Sequence, residues 1–430
     1  MRRSHGQLNH LSISNGRPGA TTVDRAPRPS VVAVARNDDH TREAVARAVR
    51  LVVDRLDPPL PTIVRRGDRV LLKVNMGCSG FREPHERVTS HPAYVESIIE
   101  RLIDCGARVT FGDDVSRTAA YERIWEKTGM SDVARRTGAR LIDFVAAGGR
   151  ETRGFLRYPR TYLMTNLVFE ADVIANAANC RSLSPVVLSG AIKNMFGVVL
   201  GTRKLRMHAL FPDPKDFARV IVDIHRIARP AVSFLDLTSV IEGQGVRPAI
   251  QPVGLMCGST DPVALDTLAA HAIGYESLTI WTTILGNAVG LGCNRLDDIS
   301  VRGIDWGRFE TKRLRYPQLL SPHHEPLMER VTRRVNNTML RPRPVITPEV
   351  CTACGACAKR CPIDAIRPRH TGGFMIDLAR CADCGCCLKV CDVGAVHAAF
   401  VGIPKLLRTV LGRRHDERSH QGTAVIGSLS

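Results

Sequence analysis

Eight cysteines carry the clearest chemistry in this chain. CTACGACAKRC begins at Cys351 and CADCGCCLKVC begins at Cys381. Both read C-x2-C-x2-C-x3-C, and the second copy repeats the first thirty residues later. One set is Cys351, Cys354, Cys357 and Cys361; the other is Cys381, Cys384, Cys387 and Cys391. Cys386 aligns with Ala356 and stands outside the repeat. Three thiolates within seven residues can wrap one corner of an iron–sulfur cubane, while the fourth, three residues on, has turned into the following helix. Gly355, Ala356 and Gly385 keep side chains small where backbone N–H groups must approach cluster sulfur. Zinc is the competing ligand. Zinc ribbons pair C-x2-C units across a longer gap and do not repeat a three-cysteine run. The spacing therefore predicts two [4Fe–4S] clusters. Cys386 reads as an inert small residue beside a cluster, with a sensor thiol as the alternative.

Over about fifty residues this region resembles the bacterial two-[4Fe–4S] ferredoxins. In such ferredoxins the fourth cysteine of each run serves the other cluster. The resemblance implies that Cys351, Cys354, Cys357 and Cys391 hold one cluster, and Cys381, Cys384, Cys387 and Cys361 the other. Pro362 follows the first run as that pattern expects; Asp392 replaces the second proline. The remaining cysteines, Cys78, Cys105, Cys180, Cys257 and Cys293, lie far apart without ligand spacing. Cys105 and Cys257 read as core residues, and Cys78 and Cys180 sit near expected strand ends.

The elements that must carry this module lie before it. VVAVA, RVLLKVN, ARLIDF, DVIANAA, AVSFLDLTSV and VGLMCGS read as buried strands. TREAVARAVRLVVDRL, HPAYVESIIERLIDC, PDPKDFARVIVDIHRIA and DPVALDTLAAHAIG have helical spacing. Strands alternating with helices predict an α/β domain with a mainly parallel sheet and flanking helices, followed by a small α+β ferredoxin-like two-cluster module. The expected divisions are a disordered segment over 1–29, the α/β domain over 30–305, a linker with a short helix over 306–344, the cluster module over 345–400, and a basic tail over 401–430. Several strands end in polar residues: Lys73 to Asn75, Asp113 and Asp114, Asn176, and Asp236. In open α/β sheets ligands sit beyond the carboxyl ends of the strands.

Sixty Lys and Arg against 42 Asp and Glu give a net charge of +18. The arginines are scattered and aromatics are only 5% of residues, so there is no basic stripe interleaved with stacking rings and no nucleic-acid partner is expected. The charge suits a solvated surface or steering of an acidic redox partner. Arg2 and Arg3 are followed by no apolar stretch, and no run is long enough to span a bilayer. The chain reads as cytoplasmic, without a transmembrane segment, where many cysteines indicate metal or redox chemistry rather than disulfides.

GDRVLLKVNM, TSHPAYVESIIERLIDCGARVTFGDD, LSGAIKNMFGVVLGTRKLRMH and GSTDPVALDTLAAHAIG together resemble the family called domain of unknown function 362, over about residues 30–305. That family commonly carries a ferredoxin-like module after its α/β domain, so the resemblance implies redox work without naming a substrate. Matched residue by residue, it implies catalytic roles for Lys193, Asn194 and His208, and substrate contacts from Lys73, Asn75, Asp113, Asp261 and Asp266. Each has a plainer reading. Lys73 closes a strand end, Asp113 caps a helix, and Asp261 before Pro262 is a good N-cap; Asp266, inside the helix, is harder to read as a cap. The family's Pro-Lys-x-Lys-Thr-His-like segment is replaced by AANCRSL, with Asn179, Arg181 and Leu183 where Lys, Lys and His would fall. There is no G-x-G-x-x-G after a strand, no Walker A sequence and no H-E-x-x-H, so no tightly bound nicotinamide, ATP or zinc is expected.

The expectation is an iron–sulfur oxidoreductase. It takes electrons from an external ferredoxin or flavodoxin and passes them through two clusters to a small molecule held by the α/β domain. The alternatives are an electron carrier that docks another enzyme, and a protein whose clusters are structural or regulatory.

Overall fold

The computed structural model describes residues 29–76, 88–115, 121–183, 186–211, 213–242, 249–315, 343–361, 363–381 and 387–399. The expectations for residues 1–28, the tail, the helix within the linker, and Cys78, Cys384 and Cys386 fall outside these residues.

The large sheet is built from β1 (Ser30–Arg36), β2 (Arg69–Lys73), β3 (Arg108–Asp113) and β4 (Arg140–Asp143), with β7 (Val173–Leu183), β8 (Val187–Ser189), β9 (Val232–Glu242), β10 (Ala249–Ser259) and β11 (Ile299–Arg302). Its order is β11-β1-β10-β9-β7-β2-β3-β4, with β8 beside β7. Neighbours pair in parallel except where β10 runs against β1 and β9, and β8 against β7. Reversing twice at β10 leaves β1, β9, β7, β2, β3 and β4 pointing the same way. Their carboxyl ends therefore share one edge. β5 (Gly149–Arg153) and β6 (Thr161–Thr165) form a separate hairpin, which the sequence reading did not anticipate.

The strands are apolar on both faces, as a sheet covered on both sides requires. Side chains alternate along each strand. Ala33, Ala35, Val70, Leu72, Phe111 and Phe234 enter one core, beneath the helices Arg42–Val53 and Pro92–Asp104. On the other face Leu71 and Ile174 pack with the helix Pro214–Ala228. There too Val32, Val34, Leu235 and Cys257 pack with the helix Pro262–Ala272.

Capping sets where these helices start. Pro92, Pro214 and Pro262 each follow a side chain that accepts from the first turn: His91, Asp213 and Asp261. The helix Pro92–Asp104 ends at Cys105, and Gly106, at φ +81°, turns the chain into β3. Glu96 is buried in that helix but accepts from Arg136 Nε at 2.7 Å and Nη2 at 2.8 Å, and from Arg42.

The cysteine module has two small antiparallel pairs. β12 (Arg343–Ile346) pairs with β15 (Val396–Ala399), and β13 (Ile366–Pro368) with β14 (Phe374–Ile376). The molecule is a mixed α/β protein with a large, mostly parallel central sheet and a smaller C-terminal region. No helix among the described residues is long and apolar enough to cross a membrane.

Candidate functional site

Strand register sets the site. Lys73 lies beside Gly112 and Asn176, Asp113 beside Asp143, Asn176 beside Ser233, and Asn179 beside Asp236. Polar side chains thus recur along one edge of an otherwise apolar sheet.

At its centre Lys73 Nζ lies 2.9 Å from Asp113 Oδ1, both side chains almost fully buried, and it also donates to the Val74 carbonyl. Burial pushes the lysine's pKa down and Asp113 pulls it back up. Asp113 accepts from the backbone N–H groups of Met76 and Asp114, each at 2.8 Å. It therefore closes the strand end rather than capping a helix. Asn75 Nδ2 donates to Asn179 Oδ1 at 2.6 Å. Asp114 pairs with Lys204 at 3.0 Å and accepts from Gly201 N–H at 2.6 Å.

A short helix, Ala191–Asn194, lies over this row. Asp266 holds it from the neighbouring helix, accepting from Ala191 N–H at 2.6 Å and Ile192 N–H at 3.0 Å. Any Cβ at Gly190 would collide with that carboxylate. Asn194 Nδ2 donates to Asn176 Oδ1 at 2.8 Å and to the Lys73 carbonyl at 3.3 Å. Just beyond, a Cβ at Gly197 would collide with Lys73 and Asp113, so glycine lets the backbone rest on the ion pair.

These contacts leave Lys193 distinct. Its ammonium makes no hydrogen bond or ion pair with any described residue. Its side chain is partly exposed, yet enough protein surrounds it for burial to dominate its titration. Burial, followed by repulsion from Arg181, pushes its pKa down to about 7. Such a lysine can hold an anion as the ammonium and exchange a proton near neutral pH.

The other expected residues divide. Asp266 faces the helix N–H groups and positions Lys193 rather than lining a cleft; burial pushes its pKa up to about 7 despite the two hydrogen bonds. Asp261 caps the helix Pro262–Ala272 through Ala264 N–H at 2.8 Å and accepts from Ser30 and Cys293 N–H. Ser30 opens β1 and Ser259 closes the antiparallel β10, so Asp261 lies at the opposite edge from Lys73. His208 packs between aromatic rings, with centroids 4.3 Å from Phe217 and 5.7 Å from Phe196. Cys180 and Cys257 are buried in the core and Cys105 is partly buried.

Two histidines join the row that sequence reading missed. His40 Nε2 lies 2.8 Å from Asp236 Oδ2, both side chains buried, and the His91 ring is 4.6 Å from that of His40. The signal was available for His40. NDDH follows β1 as polar residues follow β2 and β3.

In the cysteine module, Cys357 and Cys387 are buried. Burial pushes the Cys357 thiol up, and its neighbours Cys351, Cys354 and Cys391 push the same way. Cys351, Cys354 and Cys391 therefore lie near enough to Cys357 to influence its thiol. Ala365 N–H donates to Cys361 Sγ at 3.2 Å and Val396 N–H to Cys391 Sγ at 3.3 Å, the bonds that support cluster thiolates. A Cβ at Gly373 would stand 3.4 Å from Cys351 Sγ. These residues fit an iron–sulfur cluster. Among the described residues no three Cys, His, Asp or Glu side chains group closely enough for a single metal ion. A cubane asks for wider spacing, because its thiolates stand on separate iron corners.

Arg360, in the turn before Cys361, reaches out of the module. It forms a buried ion pair with Asp143 at the end of β4, and its guanidinium lies 4.8 Å from the centre of the Tyr121 ring. Burial pushes the Asp143 pKa up while Arg360 pulls it down. Ile363 packs against the core of the large domain. The module is thereby seated at the sheet edge that carries Asp113 and Lys73.

Residues 70–271 match the family described as a domain of unknown function (DUF362), and residues 344–367 match a 4Fe-4S binding domain. A thylakoid-associated protein of Synechocystis sp. is 25% identical over 262 residues, covering 60% of this chain and 79% of the relative. The lactate racemase apoprotein from Thermoanaerobacterium thermosaccharolyticum overlaps 55% of this chain and 55% of its own, at 11% identity and a TM-score of 0.37. The chain spans only about half of that structure, and the likeness is too slight to argue from. The two matches follow one another along the chain, the first over 70–271 and the second over 344–367.

Proposed function

We propose that this protein is an iron–sulfur oxidoreductase whose substrate is a small anion bound at the sheet edge. The observation that carries the proposal is the buried Arg360–Asp143 ion pair. It joins the turn beside Cys361 to the strand end next to Asp113, so the redox module and the candidate site share one face. When bound, the clusters supply electrons one at a time. Cys351, Cys354, Cys357 and Cys391 would hold one, and Cys381, Cys384, Cys387 and Cys361 a second. The chain's own residues do the rest. Lys193 holds the anion and exchanges a proton, Asn194 and Asp266 fix its helix, and Lys73 with Asp113 keeps the strand ends in register. Asn75 borders the substrate. His208 and Asp261 take supporting places in packing and capping. An external ferredoxin or flavodoxin in the cytoplasm is the proposed electron donor.

The test begins with protein purified without oxygen. About eight irons per chain, and two centres that reduce reversibly by EPR, are expected. The reduced protein is then offered small unsaturated carboxylates. Reoxidation that is lost in Lys193→Met, with the spectrum of the reduced centres unchanged, supports the reading. Reversible reduction with no acceptor among them would instead favour an electron carrier that docks another enzyme. Zinc in place of iron would overturn both.

A further inference from the structure

The helix Pro262–Ala272 serves the site through Asp266, but the next residue, Thr267, points elsewhere. Thr267 and His271, one helical turn apart, line a cavity of about 720 Å³, a size typical of small-molecule sites. Thr267 Oγ1 and His271 Nδ1 are buried without a hydrogen-bond partner among the described residues. Asn294 lines the same cavity at 8% exposure, and its side-chain amide bonds no described residue. Buried polar groups are ordinarily satisfied. Two unsatisfied ones on a single cavity, with an unbonded amide beside them, mark a place that something else completes.

The lining narrows what that is. Burial pushes the His271 pKa down, so its ring is neutral at neutral pH. A hydroxyl, an imidazole and a carboxamide then meet the occupant with donors and acceptors but no formal charge. Tyr275, Leu278 and Leu296 supply apolar surface. Charge is confined to exposed residues of both signs, Glu276 and Asp297 with Arg295 and Arg313. An uncharged heterocycle with donors and acceptors on its edge suits the interior, and a hydroxylated, sugar-like portion suits the mixed rim. We propose that this cavity is a binding site for a nucleoside-class ligand, separate from the sheet-edge row and independent of the redox reading.

The test titrates adenosine, guanosine, cytidine and uridine into the full-length protein. Equilibrium dialysis is followed together with tryptophan fluorescence, since the Trp306 ring lies 5.6 Å from His271. Saturable binding of at least one nucleoside is expected. Thr267→Val keeps the shape and removes the hydroxyl; Asn294→Leu removes the amide. Each should weaken binding about tenfold, the worth of one hydrogen bond to a ligand, with thermal unfolding confirming that at least one variant is folded. No binding of any of the four at millimolar concentration would overturn the proposal. So would binding that a folded variant leaves unchanged.

Discussion

Lys73 and Lys193 sit on the same sheet edge and lead different lives. Lys73 ends β2, is buried, and is matched by Asp113 at 2.9 Å. Lys193 stands on the short helix above, crowded by protein, with no anion among the described residues and with Arg181 close enough to repel it. A buried charge is tolerated when its partner is built in. A crowded charge without one is tolerated only at a cost, which an anionic ligand would remove. The difference separates a lysine that maintains the fold from one available for binding, though the sequence presents both as a lysine beside a polar run.

Substitutions can break or sharpen that contrast. The largest effect is expected at the matched pair. Asp113→Ala leaves the Lys73 ammonium buried without its paired carboxylate, and should destabilise the protein by about 3–5 kcal/mol in chemical denaturation. Arg360→Met leaves Asp143 buried without its partner. It should lower stability by a similar or slightly smaller amount and make the cysteine module more open to limited proteolysis. Unchanged proteolysis would mean that the other contacts suffice to seat the module.

Asp266→Asn comes next. Its carboxylate accepts two N–H groups, whereas an amide turns one donor toward a donor, so a loss of about 1–3 kcal/mol is expected. The wild-type pKa of about 7 lies above the ordinary 3.8. The folded state therefore holds its proton longer than the unfolded chain. This contribution is complete below about pH 3.8 and is lost as pH rises through about 7. The Asn variant should lack that slope.

Lys193→Met should change stability least and binding most. The folded pKa of about 7 lies below the ordinary 10.5, so between these values the unfolded chain binds more protons and wild-type stability rises with pH. The methionine variant should be flat over that window and no less stable at pH 7. In the wild type, affinity for a carboxylate should fall as pH rises through about 7. Affinity independent of pH, or a strongly destabilised Lys193→Met, would erase the distinction from Lys73.

Much of this was legible in the residues. Apolar runs on both faces of the strands, and Pro after Asp or His at helix starts, are local features, and the elements follow them closely. The antiparallel entry of β10 was not legible, because pairing direction depends on which strands meet rather than on their side chains. Within the site, Lys73, Asn75 and Asp113 were recognisable as polar strand ends. His40 carried the same mark and was overlooked. Asp261 carried a cap signature and proved to be a cap at the far edge.

Residue types and spacing alone determined the cysteine module, because a cluster's thiolates must recur at short, fixed intervals along one strand of chain. They also determined the helix caps and the two-faced strands. Only the tertiary structure decided that Asp113 neutralises Lys73 while Lys193 has no partner among the described residues. It likewise decided that Asp266 grips the helix carrying Lys193, and that Arg360 finds Asp143 more than two hundred residues away. Charge pairing acts through a few ångströms of space, whatever the separation along the chain, and that distance is set only when the sheet has formed.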